Sequence, residues 1–458
     1  MTLLLARALL TMSNQSQWSS KIGFILAAAG SAIGLGAIWK LPYVAGTSGG
    51  GAFFLIYLLF TIFLGAPLLI SEFMIGRSTQ KEAISAYKSI APNSYWPWIG
   101  KIGVGTSIVL LSFYSVVGGW VVNYFLRSLT GSLTGLELDE YQQLFGTIIS
   151  NPYQAVGAHL IFILLTVAIV QGGVQKGIER VTRFMMPTLF ILFIILVFRS
   201  LSLEGAMEGV SFFLKPDFSK VTSETVLFAL GQSFFALSLG ISTMVTYSSY
   251  LQKGESLPRS MFSVVGLTIF ISLLAGLAIF PAVFAFGFEP TEGPSLIFTV
   301  LPAVFNEMAF GTIFFVAFLA LLLFATITSS ISLLEIIVAS LTKGSNDRRL
   351  KTAWTAGIFI FMLGIPSALS FGLLGDSLLF GRTFFDLMDF LVSNVFLPLG
   401  ALLIAIFVGY KMSKDALYDE MSQGSVVPYW LFKFWYFLIR YVTPAAITFV
   451  FLHSLGIL

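Results

Sequence analysis

Residues 27–39 read AAAGSAIGLGAIW, with Gly30, Gly34 and Gly36 inside an otherwise apolar stretch of membrane-spanning length. Glycine in a helix interior costs about 0.8–1.0 kcal/mol relative to alanine. Such a run is a poor spanning helix and a good place to break one. A break frees backbone carbonyls and amides at membrane depth, where they are tolerated only if buried in protein or lining a cavity. The freed carbonyls suit a cation. The freed amides and the positive end of a half-helix suit an anion.

A second run, GQSFFALSLGIS at 231–242, mixes Gly231, Ser233, Ser238, Gly240 and Ser242 with aromatic residues. Small-residue helix packing explains it as well as a break does. A third cluster, LLLFATITSSISLLE at 321–335, crowds Ala325, Thr326, Thr328, Ser329 and Ser330. Its hydroxyls either bond back to their own helix or complete a cation site with carbonyls from the first break. A substrate carrying both charges, an amino acid, would use amides and carbonyls together. Glu335, in the same stretch, is an intramembrane acid and therefore a functional candidate. Glu72, five residues before Arg77, reads as half of a local ion pair. Gly177 and Pro187 bracket either a fixed kink or an inner half-helix that unwinds.

The elements that must position these groups follow from composition. The chain has 458 residues, 57% hydrophobic and 10% charged, with mean hydropathy +0.92. Soluble domains are far more charged, so this is a polytopic all-α membrane protein. A net charge of +3 gives no reason to expect nucleic acid. The absence of cysteine excludes thiolate metal sites, and His159 and His453 are too scattered for a metal cluster. Residues 1–19 read as a cytoplasmic tail without a signal peptide, and Met12 offers an alternative start. Apolar runs mark eleven segments: 20–44, 51–76, 98–128, 153–171, 178–200, 224–250, 260–287, 310–342, 352–372, 383–411 and 430–456. Of the 25 Lys and Arg residues, 18 fall on one side and 7, including Arg440, on the other. This places the N-terminus inside and the C-terminus outside. The proline-punctuated loop 288–309 is either interfacial or a lid over an outer vestibule. Two five-segment halves, 20–200 and 224–411, would run inverted because five is odd. Segments 1 and 6 would then correspond, and paired breaks in inverted repeats point to a binding site. Residues 430–456 add an eleventh helix.

The motifs WSSKIGFILAAAGSAIGLGAIWKLPY, GGGAFFLIY, GQSFFALSLG, SLIFTVLPAVF and FATITSS, in this order, resemble the neurotransmitter:sodium symporter family, and specifically its bacterial eleven-helix branch. The resemblance implies a five-plus-five inverted repeat with segments 1 and 6 unwound at the midplane. It implies that the substrate carboxylate meets the amides of Leu35 and Gly36 and the Tyr114 hydroxyl. The amine would meet carbonyls of Ala32 and Phe235, with Ser238 nearby. Leu110, Val117, Phe235, Ile241, Ser329 and Leu333 would line the side-chain pocket. A second sodium site would use Gly30, Ile33, Ala325, Thr328 and Ser329. The first sodium site would retain Ala32, Ala236 and Thr268, but alanines at 37 and 236 replace the family's Asn and Thr. The outer gate would be Lys40, in place of an arginine, with Asp389. The inner pair of the family is absent, since Gln15 and Lys343 stand at its positions, while Trp18 matches. Ser272 stands where chloride-independent members often carry an acid. Gly177 and Pro187 would form the hinge for inner release.

The expected function is a non-enzymatic, sodium-coupled symporter of hydrophobic neutral L-amino acids in the bacterial cytoplasmic membrane. It would work by alternating access with one or two Na⁺, without an organic cofactor, and as a monomer. The alternative on the same scaffold is proton coupling through Glu335.

Overall fold

The computed structural model describes residues 16–288 and 296–454. Among these, nine continuous helices are long and apolar enough to cross a membrane: Gly51–Thr79, Pro97–Leu129, Pro152–Val170, Val174–Leu201, Leu257–Ala285, Gly311–Thr342, Arg349–Leu369, Phe384–Lys411 and Tyr429–His453. They correspond to segments 2–5 and 7–11. Segment 1 is a tenth span in two pieces, Lys21–Ala32 and Gly36–Thr47, bent by 49°. Segment 6 is also two pieces, Ser223–Phe235 and Thr243–Ser249. Each is too short to span alone, so eleven segments are reached only by counting the two together.

Segments 3 and 8 are the longest helices, 33 and 32 residues. At 1.5 Å per residue each exceeds a roughly 30 Å hydrocarbon core. Within its most apolar stretch segment 3 is 72% buried, against 28% for segment 11. Segment 3 is therefore the central pillar, and segment 11 faces lipid. Segment 1 opens on a capped turn, in which the Ser20 hydroxyl accepts from the Gly23 amide at 3.0 Å. Segment 2 carries a π-helical turn at Thr61–Gly65, just before Pro67. Proline cannot donate to the turn before it.

Part of the 288–309 loop, residues 289–295, lies outside the described residues. The remainder forms the helical stretch Leu296–Glu307. It is tied to segment 3 and to the loop that follows it. The Tyr124 hydroxyl donates to the Phe298 carbonyl at 2.9 Å, and the Asn306 side chain accepts from the Gly135 amide at 2.8 Å.

The local Glu72–Arg77 pair does not form. Arg77 is fully buried and donates through Nε to Glu420 at 2.6 Å, and also to the carbonyls of Glu255 and Glu420. Its partner sits in the short helix Lys414–Ser422, between segments 10 and 11. Sequence spacing cannot see that contact. Removing one member of a buried pair strands the other, at a cost of about 3–5 kcal/mol. Arg77→Met is therefore expected to lower the apparent melting temperature of the detergent-solubilised protein well below that of Lys351→Met, at an exposed position. Equal shifts would mean that the Arg77–Glu420 contact contributes no more than a surface charge.

Candidate functional site

The two breaks face each other across a shared polar seam. Helix Lys21–Ala32 ends with carbonyls that have no partner within the helix. Hydroxyls from other segments satisfy them. Thr328 donates to the Gly30 carbonyl at 2.9 Å. Ser329 lies 2.9 Å from the Ser31 carbonyl and 3.3 Å from that of Gly30. Ser238 also donates to the Ser31 carbonyl, at 2.9 Å. Thr328 is 3.0 Å from the Ala325 carbonyl. Four of the five residues of the expected second sodium site thus converge through their oxygens. The fifth, Ile33, is buried beside them, with its amide closed onto the Ala29 carbonyl at 2.7 Å.

The glycines of segment 1 are required by close approach. None of the three has a positive φ. A Cβ on Gly30 would lie 3.1 Å from both the Met186 sulfur and the Thr328 Cβ. One on Gly34 would overlap the Ser329 hydroxyl and lie 2.9 Å from that of Tyr114. One on Gly36 would enter the Phe235 ring. Segments 3, 5, 6 and 8 therefore all press on the backbone of this break.

In segment 6 the backbone itself is unusual. Ser238, Gly240 and Ser242 have φ of 52°, 85° and 57°, a left-handed geometry that non-glycine residues adopt at a cost of about 1–3 kcal/mol each. Three contacts hold it in place. Glu72 accepts from the Gly240 amide at 2.9 Å, Tyr87 meets the Ser242 hydroxyl at 3.1 Å, and Ser238 spans to segment 1 as above. Gln232 ties the two breaks together by donating to the Gly36 carbonyl at 2.6 Å.

Between the breaks lies a small cavity of about 30 Å³. Its lining includes ten of the expected residues: Ala32, Leu35, Gly36, Leu110, Tyr114, Phe235, Ser238, Ile241, Ser329 and Leu333. Val117, on the same helix face as Leu110 and Tyr114, is buried but does not line it. Ser31, Gly34, Ser332 and Leu397 are additional. Ser31 donates to Ser332 at 2.7 Å, and both lie one helical turn from expected ligands, a signal the sequence carries. Leu397 arrives from segment 10 without any such signal. The Tyr114 hydroxyl accepts from the Leu35 amide at 3.4 Å, and among the described residues no charged side chain reaches the lining.

The expected first sodium site is less assembled. Ala32 lines the cavity and Ala236 is buried just past the first half of segment 6. The Thr268 hydroxyl, however, is turned onto its own helix, at 2.9 Å from the Val264 carbonyl. Ser272, one turn on, meets the Tyr57 hydroxyl at 3.0 Å.

At the outer end Lys40 and Asp389 pair at 3.9 Å. Ser393, unanticipated from sequence, bridges them, 3.3 Å from Lys40 and 3.0 Å from Asp389. The Lys40 ammonium also sits 5.2 Å from the centre of the Phe235 ring, a ring that lines the cavity.

At the inner end Gln15 lies outside the described residues, and Lys343 is exposed in a left-handed turn that ends segment 8. A strap over residues 16–20 takes their place. Ser16 meets Asn346 at 3.1 Å, and the Gln17 carbonyl accepts from Gln175 at 2.9 Å. The Trp18 indole donates to the Tyr247 carbonyl at 2.8 Å. Glu179, buried in segment 5, accepts from the Ser19 amide and hydroxyl at 2.8 and 2.6 Å and from the Ser20 hydroxyl at 3.1 Å. Gly23 leaves room for that carboxylate, because a Cβ there would overlap it. Segment 5 runs as a continuous helix here, π-helical over Val174–Glu179 around Gly177, and Pro187 stands inside it. Glu335 is held by Arg349, including a contact of 3.1 Å, and by the Tyr250 hydroxyl at 2.7 Å.

The sodium:neurotransmitter symporter family model matches residues 15–142 and 148–457. An uncharacterized sodium-dependent transporter of Bacillus subtilis, YhdH, is 58% identical across 98% of this chain and 100% of its own. An uncharacterized sodium-dependent transporter of Haemophilus influenzae is 36% identical across 97% of this chain and 99% of its own. The solved structure of MhsT in complex with L-phenylalanine superposes with a TM-score of 0.90 at 41% identity, covering 96% of this chain and 100% of that one. With its two facing helix breaks and a family match over nearly its whole length, this multi-pass membrane chain belongs to the sodium:neurotransmitter symporter family, whose members are transporters rather than enzymes.

Proposed function

We propose that the chain carries hydrophobic neutral L-amino acids together with Na⁺ by alternating access. One observation carries the reading: the Gly30 and Ser31 carbonyls, the Thr328 and Ser329 hydroxyls and an uncharged cavity reached by the Tyr114 hydroxyl meet at one place. Neutral oxygens suit a hard monovalent cation. Gly30, Ile33, Ala325, Thr328 and Ser329 would hold one sodium ion. A second, over Ala32, Ala236 and Thr268, would rely on carbonyls and on the substrate carboxylate once Thr268 turns from Val264. The substrate carboxylate is assigned to the Leu35 and Gly36 amides and Tyr114, and its amine to the Ala32 and Phe235 carbonyls beside Ser238. Leu110, Ile241, Leu333 and Leu397 supply the apolar lining. With no acid or base in that lining, a charged side chain would be buried unpaired. The L-phenylalanine bound to MhsT is of the class this lining admits.

The cavity is too small for such a side chain as it stands, so loading requires the Lys40–Asp389 and Phe235 closure to part. Release on the other side would begin at the strap, where loss of the Ser19 and Ser20 bonds to Glu179 frees the inner part of segment 5, between Gly177 and Pro187. Met186, packed on Gly30, would then expose the second sodium site to water. The halves 20–200 and 224–411 would rock about this site in the bacterial cytoplasmic membrane, with the N-terminus inside and the C-terminus outside. A monomer holds every group named. Proton coupling through Glu335 gains no support, because Arg349 and Tyr250 already occupy that carboxylate.

Uptake into proteoliposomes is expected to require an inward sodium gradient and to accept Leu, Ile, Val, Met, Phe, Tyr and Trp but not Asp, Glu, Lys or Arg. Uptake indifferent to sodium, or open to the charged set, would overturn the reading. Tyr114→Phe removes one hydrogen bond to a charged group, worth about 1.5–3 kcal/mol, and should weaken every accepted substrate by a similar factor, about tenfold or more. Unequal losses would place the hydroxyl on the side chain instead. The strap is testable because the chain has no cysteine. A single reporter at buried Ile178 should be alkylated about fivefold faster or more when Glu179→Gln weakens the contact, and sodium should slow it. Unchanged labelling would rule out Glu179 as the latch.

A further inference from the structure

Arg440 lies in the π-helical turn Leu438–Val442 of segment 11, the most lipid-exposed span. The charge count assigns it to the side opposite Lys411 and Lys414, whereas the structure packs it against their end of segment 10. Its neighbours are Gly409 and Tyr410, at the end of segment 10 that carries Lys411 and Lys414. A Cβ on Gly409 would lie 3.0 Å from the Arg440 Cα, so the two backbones nearly touch. The guanidinium rests over three tyrosine rings, 4.7 Å from Tyr410, 5.6 Å from Tyr441 and 5.7 Å from Tyr436.

Among the described residues this cation pairs with no acid. Among the described residues the ion pairs are Lys40–Asp389, Arg77–Glu420, Arg183–Glu179 and Arg349–Glu335. One nitrogen of Arg440 donates to the Tyr436 hydroxyl at 2.9 Å, but its Nε is buried without a hydrogen-bond partner. Two further cations share the same aromatic platform. Lys414 is 5.7 Å from the Tyr436 ring and 5.6 Å from Tyr429, and Lys433 is 4.8 Å from Tyr429. The acids nearest in sequence, Asp415 and Asp419, pair with none of them. Beside this cluster Phe434 and Phe437 are exposed apolar surface.

Three cations beside exposed apolar rings, on the span most open to lipid, complement an anionic headgroup attached to acyl chains. We propose that the lipid-facing surface where segments 10 and 11 meet binds an anionic glycerophospholipid. Its phosphate would meet Arg440 and Lys414, which share the Tyr436 ring, with Lys433 beside Lys414, and its chains would lie against the exposed rings of Phe434 and Phe437. A basic pocket between spanning helices is the form such sites take. Arginine offers phosphate a bidentate fork that lysine cannot.

The test is phospholipid retention on the full-length protein. Protein equilibrated with equimolar phosphatidylglycerol and phosphatidylcholine is washed in detergent, and bound lipid is counted by native mass spectrometry. Wild type is expected to retain about one phosphatidylglycerol and little phosphatidylcholine. Arg440→Gln should reduce retention about fivefold, and Lys414→Gln with Lys433→Gln by at least as much. The lysine pair is exposed, so it keeps the proposal testable if Arg440→Gln fails to fold. Equal retention of both lipids, or unchanged retention in the lysine pair, would overturn the proposal. So would displacement of phosphatidylglycerol by millimolar inorganic phosphate, which would mark a site for free phosphate, or variants that alter self-association while retaining lipid.

Discussion

Cutting a spanning helix near its middle strands carbonyls and amides in a medium that cannot solvate them, and the Gly30 and Ser31 carbonyls are where this chain meets that constraint. Their donors come from segments 8 and 6, the Thr328, Ser329 and Ser238 hydroxyls. A hydroxyl can give up a carbonyl to a cation and then offer the cation its own oxygen. The groups that satisfy the break are thus also those that would coordinate sodium. The break therefore fixes what must surround it. Segment 8 must be hydroxyl-rich at one depth, segment 6 must open at the same depth, and both must approach a backbone stripped of side chains.

That stripped backbone spreads the site's influence. Gly30 receives Met186 of segment 5, next to Pro187, while Gly36 receives Phe235, the ring under Lys40. In the proposed cycle, filling or emptying the centre would consequently act on residues of opposite closures. Gln232 strengthens the link by bonding the Gly36 carbonyl from segment 6. The coupling is made of packing contacts a few ångströms long rather than a wire across the protein.

The sequence shows the breaks more clearly than the reasons for them. Gly30, Gly34 and Gly36 stand out because helix propensity penalises them locally. What each makes room for is set by Met186, Ser329 and Phe235, far away in the chain. The hydroxyl cluster at 325–330 is legible because its members are crowded, whereas Ser31 and Ser332 are marked only by lying one helical turn from expected ligands. Charges are hardest to read. Glu72 and Arg77 are spaced as a pair, but the first caps the Gly240 amide and the second finds Glu420, 343 positions on. Side-chain spacing reports neighbours on one helix only, and in a bundle a buried charge is satisfied by whichever element the topology brings near.

The distribution of those charges follows a rule of cost. Breaking a buried pair costs about 3–5 kcal/mol, whereas an exposed pair contributes about 0–1 kcal/mol. Arg77–Glu420 and Arg349–Glu335 are almost wholly buried, so they belong to surfaces that stay together. Lys40 and Asp389 keep 26% and 42% of their side-chain surface exposed at 3.9 Å, which makes them cheap to separate. The central seam avoids ions altogether, using hydroxyls and carbonyls that exchange partners without stranding a charge. In the proposed cycle the parts that must move are therefore held by neutral or wet contacts. Glu179 is the instructive intermediate: it is buried, but its partners in the strap are an amide and two hydroxyls, each of which water can replace.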